Sequence, residues 1–388
     1  MITRIKNAIF VTDKEEDSKN LYIENGRIKS FTEEVLPFDN EIDAEGLYVS
    51  AGFIDIHTHG AGNCDFADGE KNDIVKAAYT HARYGTTTIF PTCTSSSTED
   101  TLLFIENVRD VMKENAPGRP HIAGSHLEGP YFANSQKGAQ NSKYIKAPCK
   151  EEYKEFVKRS EGTLKRISFA PELEGSYALC DFLREKGIVA SFGHTDGIYE
   201  EILPAIRKGA TLATHLYSGM NTVTRRNCHR KLGAVETALL EDDVTVEIIA
   251  DGIHLPPELL RLIYKIKGPD KICLITDSMR GAGMGEGKSV LGPKNDGMDC
   301  VIKDGIAYLT DMSAFAGSVA TTDRLVRVMH KTVGIPLTEC IKMITEVPSR
   351  IMGLEKRGLI KEGYYADLVF FDRDINVRKT IIEGKELE

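Results

Sequence analysis

The chain has no tryptophan, and none of its eight cysteines falls in a C-x-x-C spacing. Without tryptophan, stacking against a sugar or a base is left to tyrosine and phenylalanine. The cysteines stand at positions 64, 93, 149, 180, 228, 273, 300 and 340 of 388 residues; in a chain this long without an export signal they are expected to be reduced, mostly core thiols rather than a disulfide or zinc framework. Basic excess is also missing: Lys plus Arg number 49 against 58 Asp plus Glu, a formal charge of −9. A nucleic-acid surface needs a basic stripe, and here the basic residues are scattered among carboxylates, so nucleic acid is excluded as a partner. No apolar run of about 18 residues is present, as a spanning helix would need. The residues from Met1 to Val11 lack a secretory h-region and cleavage site. The expectation is a soluble, cytoplasmic protein with no membrane partner.

What is present is ordinary globular usage, 41% hydrophobic and 28% charged, which excludes disordered, collagen-like and coiled-coil classes. The first fifty residues read as short strands: Ile5 to Val11, Leu21 to Glu24, Arg27 to Phe31, and Leu47-Tyr48-Val49. Asn25-Gly26 between two of them is a hairpin signal, because both residues tolerate positive φ. From Gly52 the pattern becomes short β-branched runs separated by helical stretches, as in parallel βα units. Eight such runs occur: Phe53 to His57, Thr86 to Pro91, His121 to Leu127, Ile167 to Ala170, Ile188 to Phe192, Thr211 to His215, Val244 to Ala250 and Lys271 to Thr276. Between them, sets such as Ile74, Val75, Ala78 and Ala82, or Leu259, Leu260, Ile263 and Ile266, repeat at helical spacing. Eight parallel strands make a closed (β/α)₈ barrel, an α/β fold. A Gly-rich stretch from Gly281 to Gly287 reads as a mobile surface loop, since it lacks phosphate-loop spacing. A helix is expected from about Val319 to Val333. The last residues return to β character at Ala366 to Asp372 and Val377 to Gly384. The expected organisation is a small composite β domain, a β-sandwich from residues 1–51 and 355–388, around a catalytic barrel at 52–354.

In such barrels the active site is built at the carboxyl ends of the strands. His57 and His59 end the first run, Glu128 the third, His194 the fifth, His215 the sixth and Asp277 the eighth, while His254 follows the seventh. A period of two puts His57 and His59 on one face of their strand. Imidazoles with a carboxylate suit Zn²⁺ or a similar divalent ion, which lowers the pKa of a coordinated water to about 7. Asp277 is then suited to take a proton and return it to a leaving group. His81, His121 and His330 are read as structural. The basic stretch from Arg225 to Lys231 lies in the loop after the sixth strand, at the same end, and reads as an anion-binding segment.

Gly52-Phe53-Ile54-Asp55-Ile56-His57-Thr58-His59-Gly60 resembles the first-strand signature of the amidohydrolase superfamily, and Gly363-Tyr364-Tyr365-Ala366-Asp367-Leu368-Val369 its C-terminal signature. Within it, His126-Leu127-Glu128-Gly129-Pro130, Gly193-His194-Thr195, Thr214-His215-Leu216, Ala250-Asp251-Gly252-Ile253-His254, Thr276-Asp277 and Ala316-Gly317-Ser318 resemble the N-acetylglucosamine-6-phosphate deacetylase family. The resemblance implies that Glu128, His194 and His215 hold the main metal, that His57 and His59 hold a second ion where two are used, and that Asp277 is the acid/base. The ion would be Zn²⁺, with Fe²⁺ as the other candidate, one or two per subunit. Sugar-phosphate contacts would come from Ala139, Gln140, Ser218, Gly219, Arg230, His254, Phe315, Ala316 and Gly317. The chain departs from the family pattern at Gln140, where His is frequent, at Ser218-Gly219, and around Cys228 to Gly233. A homodimer and a place in amino-sugar catabolism or recycling are also implied. Two alternatives stand beside this. A cyclic-amide or other N-acyl amidohydrolase of the dihydroorotase kind would bring a bridging Lys at the end of strand four, which here reads Ala170-Pro171-Glu172. An inactive binding barrel would lack part of the ligand set.

Overall fold

The computed structural model describes residues 1–16 and 19–388. Eight strands form the central parallel sheet: β1 (Phe53–Thr58), β2 (Thr86–Cys93), β3 (Ser125–Glu128), β4 (Leu164–Phe169), β5 (Val189–Phe192), β6 (Leu212–Ala213), β7 (Thr245–Ile248) and β8 (Ile272–Leu274). Each pairs in parallel with the next from β1 to β8. The seam between β8 and β1 is bridged just beyond the ladder, where Asp277 N donates to His57 O at 2.9 Å and His59 N to Ser278 O at 2.8 Å. The result is the expected (β/α)₈ barrel, nearly closed.

A helix fills each of the seven connections from β1 to β8. Helix Thr98–Met112 shows the local logic. Ser97 Oγ accepts from Asp100 N at 3.1 Å, acidic residues occupy the first turn, and Phe104, Ile105, Val108 and Val111 form the buried face. In helix Pro257–Lys267, Leu260 and Ile263 are buried as the spacing predicts, whereas Ile266 faces outward. The stretch read as one helix from Val319 is an α-helix at Thr322–Arg327 that continues as a π-helical turn to Val333.

Side-chain alternation sorts the barrel strands. On β4 and β7, Ile167, Phe169, Val246 and Ile248 join the main apolar core, while Arg166, Ser168 and Glu247 point the other way and meet one another. Residues from both ends of the chain build the second unit. A four-stranded sheet (Ile2–Lys6, Asn20–Glu24, Arg27–Thr32, Asn40–Asp43) packs on a six-stranded one in which Tyr48–Ala51 pairs antiparallel with Leu368–Phe371. Leu368 and Phe370 enter the sandwich core with Ile5, Phe10 and Val49, and the alternate Val369 and Phe371 enter the barrel core. That is why this strand is apolar at every position. The Asn25-Gly26 turn has φ of 51° and 74°, and Glu24 pairs with Arg27 across it.

One expectation is met only in part after β8: Gly283 to Gly287 are exposed, as in a surface loop. Gly281 and Ala282 are buried, and a Cβ on Gly281 would collide with Ile302, so this stretch begins as a packed turn rather than a loose loop. It leads into an antiparallel sheet of Gly287–Leu291, Met298–Lys303 and Ile306–Leu309, with its own core of Met279, Leu291, Cys300, Ile302 and Leu309. The strands are short and half-exposed, so their alternation is faint in the sequence. All eight cysteines are free; Cys149 and Cys228 are exposed and the others buried. No helix among the described residues is long and apolar enough to cross a membrane.

Candidate active site

At the carboxyl end of the barrel the chain turns out of its strands abruptly. His194, His215 and Asp277 all have left-handed backbones, with φ of 47°, 27° and 45°. A non-glycine residue rarely holds such a conformation without support from its surroundings. Here three of them stand at corresponding strand ends, and each aims its side chain into the barrel mouth.

Glu128, at the end of β3, is the centre of the cluster. Its Oε1 lies 2.7 Å from His215 Nε2, 3.0 Å from His194 Nε2 and 3.6 Å from His57 Nε2; its Oε2 lies 3.3 Å from His59 Nε2. Asp277 Oδ1 lies 3.1 Å from His59 Nε2 and 3.5 Å from His57 Nε2. Two triads therefore converge with one member in common: Glu128, His194 and His215, and His57, His59 and Glu128, the donor atoms of each within 4.8 Å of one another. Every one of these side chains is buried.

The electrostatics call for a cation. Burial alone would lower the imidazole pKa of His57, yet Asp277 and Glu128 more than reverse this and raise it to about 9. His59 is driven up in the same way, while Glu128 and Asp277, despite the opposing effect of burial, are held low by the histidines. Two buried carboxylates thus draw positive charge into the site. His57 Nε2 has no hydrogen-bond partner although fully buried. The donor set, the orphaned nitrogen and the charge together fit a divalent ion.

Around the cluster lies a cavity of about 220 Å³. Of the residues anticipated from the sequence, His59, Glu128, His194, His215 and Asp277 line it together with Ala139, Gln140, Ser218, Gly219, His254, Phe315 and Gly317. Ala316 is buried in the core of the three-stranded sheet, and His57 is buried beside Glu128; neither lines the cavity. Gly219 has φ of 56°, and a Cβ there would come within 2.6 Å of His194 Nδ1. His254 is held by Asp251, Nδ1 to Oδ2 at 2.8 Å, and its ring packs on Phe315 at 4.9 Å. Arg230 stands apart: it is exposed on the hairpin Thr224–Arg226/His229–Lys231 and does not line the cavity.

Sequence reasoning missed several neighbours. Thr94, Leu291 and Ala314 also line the cavity, the last two supplied by the unforeseen sheet and the segment after it. Gln140 touches Glu128 itself, Nε2 to Oε2 at 2.6 Å. Arg166 and Glu247, both fully buried, form an ion pair beneath the site. For Glu247 the available signal was a lone Glu inside the apolar run Val244 to Ala250, whereas Arg166, next to Lys165 and just before the run Ile167 to Ala170, gave none.

A sequence model of the Amidohydrolase family matches residues 48–387. The chain belongs to this family. It is similar to an N-acetylglucosamine-6-phosphate deacetylase from Lysinibacillus sphaericus, 30% identical over 385 residues that cover 98% of this chain and 96% of the relative. A crystal structure of an N-acetylglucosamine-6-phosphate deacetylase from Pasteurella multocida superposes with a TM-score of 0.92 at 29% identity, covering 100% of this chain and 99% of that one. An N-acetylgalactosamine-6-phosphate deacetylase from Escherichia coli is 29% identical over 371 residues, 95% of this chain and 94% of the relative. With other members of the family fold, such as an enamidase at 14% identity and a TM-score of 0.65, the likeness is one of fold alone.

Proposed function

We propose that the chain hydrolyses the acetamide of N-acetyl-D-glucosamine 6-phosphate to acetate and D-glucosamine 6-phosphate. The observation that carries this reading is the convergence of Glu128, His194, His215 and Asp277 on one point of a cavity, in a chain that aligns with such a deacetylase over 98% of its residues.

Glu128, His194 and His215 would hold the main ion, and His57 and His59 a second where two are bound, with Glu128 common to both. The ion would be Zn²⁺ or Fe²⁺, and bound there it would polarise the amide carbonyl and acidify water. The protein's own residues do the rest. Asp277 is ionised and faces the same point, so it accepts the proton of the attacking water and then delivers it to the departing amine. His254 donates from Nδ1 to Asp251 and leaves Nε2 for the cavity, where it would contact the substrate.

The net charge of −9 repels an anionic sugar phosphate, so capture must be local. Arg230 and His254 are the proposed phosphate contacts. Ala139, Gln140, Ser218, Gly219 and the segment Phe315, Ala316 and Gly317 would hold the sugar, without the stacking that tryptophan would supply. A homodimer, and a cytoplasmic role in amino-sugar catabolism or recycling, complete the proposal.

The test is acetate release by zinc-loaded enzyme from N-acetylglucosamine 6-phosphate, its unphosphorylated form and N-acetylgalactosamine 6-phosphate. Preference for the first is expected. The third probes a second reading, favoured by the similarity to the N-acetylgalactosamine-6-phosphate deacetylase. A zinc-loaded chain that releases no acetate from any of them would reject the assignment.

A further inference from the structure

Two site histidines owe their orientation to main-chain carbonyls. His59 Nδ1 lies 3.2 Å from Thr92 O, and His194 Nδ1 lies 2.8 Å from Gln136 O. A carbonyl oxygen only accepts, so each ring carries a proton on Nδ1 and turns Nε2 toward the site. His57 is held differently. Its Nδ1 lies 3.3 Å from Glu247 Oε2, and its Nε2 faces Glu128 and Asp277 with no hydrogen bond of its own.

Glu247 is itself pinned. Arg166 donates to both of its oxygens, Nη2 to Oε2 at 2.8 Å and Nη1 to Oε1. The other Arg166 donors reach Ser191 Oγ at 2.9 Å, Thr214 Oγ1 at 3.1 Å and Ile56 O at 3.4 Å, so the guanidinium cannot turn away. Glu247 Oε2 also accepts from the backbone N of His215 at 3.3 Å. One carboxylate oxygen thus touches a member of each ligand triad. A buried ion pair is weak evidence for stability, because apolar residues of the same volume often serve as well. This pair sits instead where it can direct a ligand.

We infer that Glu247 is a positioning residue for metal binding, which holds His57 as the Nδ1–H tautomer and aims its Nε2 at the ion, while Arg166 keeps Glu247 in place. The inference rests on the reading of His57 as a ligand. Carboxylates behind ligating imidazoles fix tautomer and ring orientation in this way.

Two double variants separate this role from a purely structural one. Arg166→Met/Glu247→Gln removes the charge pair but keeps an amide oxygen that can accept from His57 Nδ1. Arg166→Met/Glu247→Leu removes the pair and the acceptor together. Zn²⁺ alone is titrated into metal-free protein in competition with a chromophoric chelator. The first variant should bind within about threefold of the parent, and the second should weaken the site containing His57 and His59 about 10- to 100-fold. Equal affinity of the two variants would overturn the inference, since a structural ion pair is lost equally in both. Independently of variant folding, ¹⁵N histidine spectra of the intact zinc-loaded chain, with His57 assigned through His57→Gln, should report an Nδ1–H ring; an Nε2–H ring would overturn it. Neither readout depends on turnover, so a chain that meets both but releases no acetate would reject the deacetylase assignment alone.

Discussion

Gln140 donates from Nε2 to Glu128 Oε2 at 2.6 Å, and its direction is not free, because its Oε1 accepts from Ser95 N at 2.7 Å. A backbone N–H can only donate, so the amide oxygen must face Ser95 and the amide nitrogen must face Glu128. Gln140 therefore occupies one oxygen of the carboxylate and leaves the other to His194 and His215. Replacing it by Leu should weaken ion binding by about tenfold, as losses of partners behind metal ligands do. Chelator competition on the variant measures this; unchanged affinity would show that Glu128 needs no such support.

Asp277→Asn should retain zinc, since neither triad of donor atoms includes Asp277. Turnover should fall by about 10² to 10⁴, the usual contribution of a positioned acid/base. Metal analysis beside steady-state kinetics separates the two effects. Near-normal kcat with normal metal content would refute the acid/base role.

Arg230→Ala should raise KM by about tenfold or more, the scale of a lost charge-assisted hydrogen bond, with a smaller effect on kcat. The effect should shrink at high ionic strength, because this arginine is exposed. A KM that does not move would leave phosphate capture to His254 and the backbone of the cavity.

His81, whose ring touches Thr58 and Ser278 behind the site, provides a pH prediction. Burial depresses its pKa to about 4, from an ordinary value near 6.5, and the carbonyl of Gly60, 3.1 Å from Nε2, only partly opposes this. The folded chain then binds fewer protons than the unfolded chain between those two values. Stability should rise with pH across this window and be lost as pH falls from about 6.5 toward 4, with a contribution of about 3 kcal/mol. Urea midpoints of His81→Gln and parent between pH 4 and 7 check it: the variant should show the flatter slope, and parallel slopes would refute the assignment.

The eight barrel runs were legible because β-branched strands buried on both faces leave continuous apolar segments, and Phe53 to His57 or Val244 to Ala250 could hardly be anything else. The candidate ligands were legible because each stands at or just beyond the end of such a run. The sheet from Gly287 to Leu309 was not. Its strands bury only alternate residues such as Cys300 and Ile302, and the glycines before it look like a loop until Ile302 is seen packed against Gly281. Arg230 shows the opposite limit: its position in the loop after β6 could be read, but not that its hairpin holds it outside the cavity wall.

The residue order by itself determined the fold class, the family signatures and the candidate ligands, because these depend on local periodicity and on residue type at strand ends. The tertiary structure alone decided which atoms meet. Gln140 and Glu128 are twelve residues apart, His57 and Glu247 are 190. The tautomer of an imidazole and the free oxygen of a carboxylate are set by partners that only the closed barrel brings within hydrogen-bonding distance, and no local pattern encodes a contact of that range.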